Sequence, residues 1–118
     1  MNTLPTQSDT VILIPREGMG QADLELQHKL IGTYLTLLNE HSYLPAAICF
    51  YTEGVKLVVE GSPVIEQLMA LESKGVRLII CSTCLNYFGV QDQVRVGITG
   101  GMTDIIEAQW RAAKTITL

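Results

Sequence analysis

Two cysteines separated by two hydroxyl residues, Cys81-Ser82-Thr83-Cys84, have the most chemically specific spacing in the chain. They follow Val76-Arg77-Leu78-Ile79-Ile80, an apolar, β-branched run of the kind that is buried on both faces of a parallel sheet. Leu85-Asn86-Tyr87-Phe88 reads as a short helix closed by Gly89, which tolerates the left-handed backbone of a helix end. The pair therefore belongs at the carboxyl end of a buried strand, on or next to a helix start. Unpaired N–H groups and the positive dipole end stabilise a thiolate there, and the thiolate is the reactive form of cysteine. A second thiol three residues on can resolve a disulfide or accept a transferred sulfur. Cys81 and Cys84 are thus the catalytic candidates. Cys81 is expected to face the cleft as the mildly acidic thiol, and Cys84 to be enclosed by Leu85 and Phe88. Two inert core cysteines are the bland alternative; the strand-end position favours reactivity.

Other candidates are weaker. Gly18-Met19-Gly20, followed by Asp23, makes a glycine loop before a helix, which can cradle an anion through backbone N–H groups. Asp23 stands where a dinucleotide fingerprint needs its third glycine, so turn-making is the stronger reading, and Asp23 suits the helix dipole. Glu53-Gly54 lies in the exit turn of a strand; Glu53 is an acid–base candidate, against the default of an exposed turn glutamate. Cys49 reads as a small buried hydrophobe, and His28 and His41 as solvated surface. A structural zinc takes four ligands and one C-x-x-C supplies two, so neither metal nor cofactor is expected. A thioredoxin arrangement fits poorly, because the motif comes after the third strand and no X-Pro follows it.

The elements that must position these residues alternate along the chain. Residues 1–9 read as a loose tail. Thr10–Ile14 is a strand stopped by Pro15, and a helix runs to about Glu40 with Leu24, Ile31, Tyr34, Leu35 and Leu38 on one face. Pro45–Tyr51 is the second strand, and Val55–Val59 is irregular or short-helical. Ser62-Pro63 starts a helix with Val64, Ile65, Leu68 and Leu71 inward, ended by Lys74-Gly75. A fourth strand is expected at Gln93–Ile98, broken by Gly100-Gly101. Thr103 then caps a helix with Ile106, Trp110 and Ala113 inward, and Lys114–Leu118 closes the sheet. The alternation predicts an α/β three-layer α/β/α sandwich with a mostly parallel sheet, as one domain over 10–118. Right-handed crossovers bring the Gly18–Gly20, Thr52–Gly54 and Cys81–Cys84 turns to one edge, where such sheets bind ligands.

Composition narrows the partners. A chain of 118 residues supports one real core, and 47% apolar with 17% charged residues implies a mostly buried sheet or apolar faces hidden in an oligomer. The net charge of −4, with no basic stripe, disfavours nucleic acid and anionic membrane. No apolar run approaches the ~20 residues of a membrane span, and the first residues do not read as a signal peptide. Three cysteines without scaffold spacing suggest a reducing cytoplasm.

Taken in order, Gly18-Met19-Gly20 with Asp23 and Leu26, Phe50-Tyr51-Thr52-Glu53-Gly54-Val55-Lys56-Leu57, Gly61-Ser62, Gly75-Val76 and Cys81-Ser82-Thr83-Cys84-Leu85-Asn86-Tyr87-Phe88-Gly89 resemble the DsrE/DsrF-like family. The similarity is greatest to the carboxyl-terminal domain of YedF-like proteins of sulfur and selenium metabolism, and runs from about Thr10 to Leu118. It implies a five-stranded parallel sheet between helices, a homo-oligomer (trimer or hexamer), and a cysteine carrying sulfur as a persulfide. The family pattern of a cysteine after the third strand, with leucine four residues on, falls on Cys81 and Leu85, so the resemblance gives Cys81 the carrier role. Cys84 matches the second cysteine of the YedF-like subgroup. That subgroup also has an amino-terminal sulfur-carrier domain; here donor and acceptor are expected to be separate proteins. The expected function is a sulfurtransferase-like sulfur relay. The alternative is a non-catalytic oligomeric protein that binds a small anion or nucleotide in the same cleft.

Overall fold

The computed structural model describes residues 8–118. Five parallel strands, β1 (Thr10–Ile14), β2 (Ala47–Phe50), β3 (Arg77–Cys81), β4 (Ile98–Gly100) and β5 (Lys114–Thr117), form one sheet in the order β4-β3-β2-β1-β5. The helices are α1 (Leu24–Glu40), α2 (Ile65–Ser73), α3 (Ser82–Phe88) and α4 (Met102–Arg111), with 3-10 segments at Thr52–Val58 and Gln91–Gln93. The expected five-stranded α/β architecture is the one observed.

The apolar runs explain the layering. Val11–Ile14, Ala47–Phe50 and Leu78–Cys81 are buried at every position, which requires cover on both faces of the three central strands. Steps from β1 to β2 to β3 to β4 all run the same way across the sheet. Right-handed crossovers therefore place α1, α2 and α3 on one face, and α1 packs on α2. The return from β4 to β5 crosses three strands and puts α4 on the other face, against β3 and β4. Connections thus diverge between β3 and β4. That crevice is a topological switch point, where open α/β sheets bind ligands, and Cys81 pairs with Gly100 across it.

Several local expectations are corrected. The fourth strand is Ile98–Gly100, not Gln93–Ile98. Val94 makes only an isolated antiparallel bridge to Val59, and Gly97, at φ +90°, turns the chain onto β3. L side chains rarely adopt that φ, and a Cβ at Gly97 would also press on the Leu78 backbone carbonyl at 3.1 Å, so the turn favours glycine. Helix α2 begins at Ile65; Ser62 Oγ accepts the Val64 N–H at 3.2 Å in a turn before it. In α4 the N-cap is Gly101, not Thr103, and Asp104 Oδ2 accepts the Gly101 N–H at 2.9 Å. Ile105 and Ala108 face the sheet, while Ile106 and Trp110 are exposed at 46% and 84% and Ala113 is also exposed. Small Ala108 lets the helix lie close to the sheet, which turns the bulky stripe outward. Residues 1–7 of the expected tail lie outside the described residues. Its last two are tied: Ser8 N–H donates to the Leu44 carbonyl at 3.0 Å, and the Asp9 carbonyl accepts Ala113 N–H at 2.8 Å.

Candidate functional site

Cys81 ends β3 and is the N-cap of α3, with extended backbone (φ −67°, ψ 116°), and it is only 3% exposed. Cys84 lies in the first turn of α3 and is partly exposed. The expected order of enclosure is therefore reversed: the strand carries Cys81 inward, and the helix turn brings Cys84 to the surface. Both are free thiols.

The sulfur of Cys84 has a second partner that the sequence did not announce. Thr52 donates its backbone N–H to Cys84 Sγ at 3.0 Å. Thr52 has φ +47°, a left-handed conformation that is a genuine outlier for a β-branched residue. Its hydroxyl donates to the Pro15 carbonyl, with the Tyr51 carbonyl also 2.7 Å away, and Tyr51 N–H donates to the Ile14 carbonyl at 3.3 Å. The turn is thus fastened to the end of β1. Burial raises the Cys84 thiol above its ordinary value, as does the neighbouring Cys81 thiol; the Thr52 N–H opposes them, and the charge of Cys81 raises it further. Burial also pushes Cys49, in β2, up to about 11, against a lowering pull from Arg77.

The glycine loop is built as a turn. Gly18, at φ +131°, donates its N–H to the Arg16 carbonyl at 2.8 Å, and Met19 donates to the Gln27 carbonyl at 3.2 Å. Gln27 fastens the loop further through Nε2 to the Glu17 carbonyl and Oε1 from the Ala22 N–H, each 3.1 Å. Two amides of the supposed anion cradle are therefore already engaged. Gly20 and Asp23 are exposed, and the Asp23 side chain makes no cap hydrogen bond. Glu53 is 57% exposed and pairs with Lys56 Nζ at 3.4 Å; that ammonium sits 4.5 Å from the Phe88 ring centroid. Gly54 is buried against β1. His28 departs from the solvated reading: its Nε2 lies 3.0 Å from Glu17 Oε2, and the two side chains are 25% and 21% exposed.

The Thr52–Gly54 and Cys81–Cys84 turns therefore meet directly, and the first loop reaches them through Pro15. Beside them a cavity of about 370 Å³ is lined by Glu17, His28, Lys56 and Phe88, among others, but not by Gly18, Met19, Gly20 or Asp23. Among the described residues, no three His, Cys, Asp or Glu side chains gather as a metal site, and no helix is long and apolar enough to cross a membrane.

A profile of the DsrE/DsrF-like family matches residues 17–118. The chain belongs to the DsrE/DsrF-like family. This family is associated with sulfur relay. Three solved structures share the fold of this DsrE-like chain. The YchN protein from E. coli superposes with a TM-score of 0.67 at 15% identity, covering 92% of this chain and 98% of its own. MTH1491 from Methanobacterium thermoautotrophicum, a protein of unknown function, gives 0.63 at 20% identity, with 92% and 97% covered. BT1422 from Bacteroides thetaiotaomicron, also of unknown function, gives 0.64 at 14% identity, with 93% and 95% covered. No curated protein matches the chain.

Proposed function

We propose that this DsrE-like protein relays sulfane sulfur as a persulfide on the Cys81–Cys84 pair, between a separate donor and a separate acceptor protein. One observation carries the reading: two free thiols three residues apart stand at the β3–β4 crevice, and one of them receives a backbone N–H from a turn of the neighbouring strand. In the transfer, a site thiolate attacks the outer sulfur of a donor persulfide. A new S–S bond forms, the donor's S–S bond breaks, and the donor leaves as a thiolate. The acceptor thiolate repeats the step on the loaded cysteine, so no external oxidant is needed.

The anion- or nucleotide-binding alternative loses its main support, because the Gly18 and Met19 amides are engaged within their own loop. The proposed setting is the cytoplasm, without nucleic acid or membrane, consistent with the net charge of −4. Self-association, as the trimer or hexamer that the sequence resemblance implies, is supported by the exposed apolar stripe of Ile98, Met102, Ile106 and Trp110. Intact mass under non-reducing conditions, before and after a small-molecule persulfide donor, tests the relay. The expected result is a gain of one sulfur or, where it has been discharged, an internal disulfide with released hydrosulfide; a thiol reductant reverses both, and the Cys81→Ser/Cys84→Ser double variant shows neither. Neither change in the native chain, or an equal gain in the double variant, overturns it.

A further inference from the structure

We infer that Cys84, held by the strained Thr52 amide, is the sulfur that meets the donor, and that Cys81 is the buried thiol that discharges it. The inference rests on the sulfur-relay reading and reverses the order that the sequence resemblance assigns. A donor persulfide on another protein must approach the attacking sulfur along an open line. Cys81 is 3% exposed at the end of β3, whereas Cys84 is partly exposed on the first turn of α3.

The Thr52 contact gives Cys84 a device that the described residues do not provide for Cys81. A donor N–H at 3.0 Å favours the anionic sulfur. It comes from outside the helix, which matters because α3 has only seven residues. The left-handed conformation of Thr52 points that N–H at Cys84, and the hydroxyl tie to Pro15 keeps it there. A β-branched residue held against its own preference in a site turn is strain with a use. Thr52 is thus a positioning residue.

Loading forms a Cys84 Sγ–S bond, and the departing donor thiolate takes up the proton. An acceptor thiolate can then take the outer sulfur. When no acceptor arrives, the Cys81 thiolate attacks Cys84 Sγ. The Sγ–S bond breaks, the Cys81–Cys84 disulfide forms, and hydrosulfide leaves with the proton that Cys81 gave up. A dithiol reductant then restores the pair with two electrons. The two cysteines stand three residues apart, at the N-cap and in the first turn of α3, which is the C-x-x-C spacing of pairs that close to disulfides.

The test uses Cys81→Ser and Cys84→Ser variants with a small-molecule persulfide donor, read by peptide mass after alkylation and by hydrosulfide release. Cys81→Ser is expected to hold a lasting persulfide on residue 84 and release little hydrosulfide, and Cys84→Ser to gain no sulfur. A sulfur gain on Cys84→Ser with none on Cys81→Ser overturns the order and leaves the relay standing. No gain in either variant, with neither gain nor hydrosulfide release in the native chain, removes the relay itself. For Thr52, the alkylation rate of Cys84 is followed against pH in the Cys81→Ser background. Thr52→Val, which keeps the shape and loses the hydroxyl tie, is expected to move the midpoint upward, while Thr52→Ser keeps it. An unchanged midpoint in Thr52→Val, or an equal shift in Thr52→Ser, overturns the positioning role.

Discussion

Replacing Gly54 with alanine is expected to loosen the turn that presents Cys84. A Cβ built on Gly54 lies 1.9 Å from the Ile14 carbonyl oxygen and 2.9 Å from its carbon, and both are backbone atoms. Ordinary contact begins at 3.4 Å, so the turn must retreat from β1 by up to 1.5 Å. No side chain can swing aside to absorb this. Overpacking of this kind costs about 1–3 kcal/mol. The Tyr51 N–H bond to the same carbonyl, already 3.3 Å, would lengthen and add about 1 kcal/mol. The total is roughly 2–4 kcal/mol. With a urea slope of about 1–3 kcal/mol/M, the unfolding midpoint falls by roughly 0.7–4 M with an unchanged slope. Gly32→Ala is the internal control. Gly32 lies within α1, and an added Cβ meets Gln67 Nε2 at 3.9 Å and Val64 Cγ1 at 4.0 Å, so alanine should stabilise by about 0.5–1 kcal/mol. Equal urea midpoints for native and Gly54→Ala chains would refute the steric argument. A loss in Gly32→Ala would refute the use of these distances as a guide.

Further outcomes are expected. The folded Cys49 thiol keeps its proton to about pH 11, whereas its ordinary value is 9.0. Its contribution is therefore whole below about pH 9 and is lost as pH rises through about 11, a fall of at most about 2–3 kcal/mol. Stability measured at pH 8 and pH 11 should differ less in Cys49→Val than in the native chain; an identical alkaline loss in both counts against the assignment. Light scattering at micromolar concentration and physiological salt should show an oligomer that Ile106→Asp/Trp110→Lys reduces in size, and a native monomer would end the proposal. Elemental analysis of purified protein is expected to find no stoichiometric zinc; one zinc per subunit would overturn this and compete directly with the persulfide role for the thiols.

Much of the fold was legible because burial on both faces leaves an unmistakable mark. Val11–Ile14, Ile48–Phe50 and Leu78–Ile80 are runs with no polar interruption, and Gly89 adopts the left-handed cap expected of it at φ +69°. The edges were less legible. The alternation of Val94, Val96 and Ile98 imitates a strand, but register with β3 is decided by the close approach at Gly97. The α4 stripe misled because bulk was read as burial, when small Ala108 faces the sheet. At the site, the C-x-x-C and its strand-end position could be read directly. Thr52 could not, since its hydroxyl is held by carbonyls of residues 15 and 51, and no local preference predicts that. The His28–Glu17 pair was equally hidden, because it joins a loop to a helix eleven residues on.

The placement of β5 governs how the chain reaches this structure. Ala47 pairs with Val11 and Arg77 with Ala47, across 36 and 30 residues, but Lys114 pairs with Thr10 across 104. Closing the longer loop costs about 1 kcal/mol more in chain entropy. The reward is an edge strand of four residues, three of them exposed. The β1-to-β4 block is therefore expected to zip first, with β5 joining after the main barrier, so substitutions in β5 should speed unfolding and leave the folding rate almost unchanged. The same edge should open first in hydrogen exchange, releasing the amide of Leu118 from the Leu13 carbonyl while Ile48 and Ile79 stay protected.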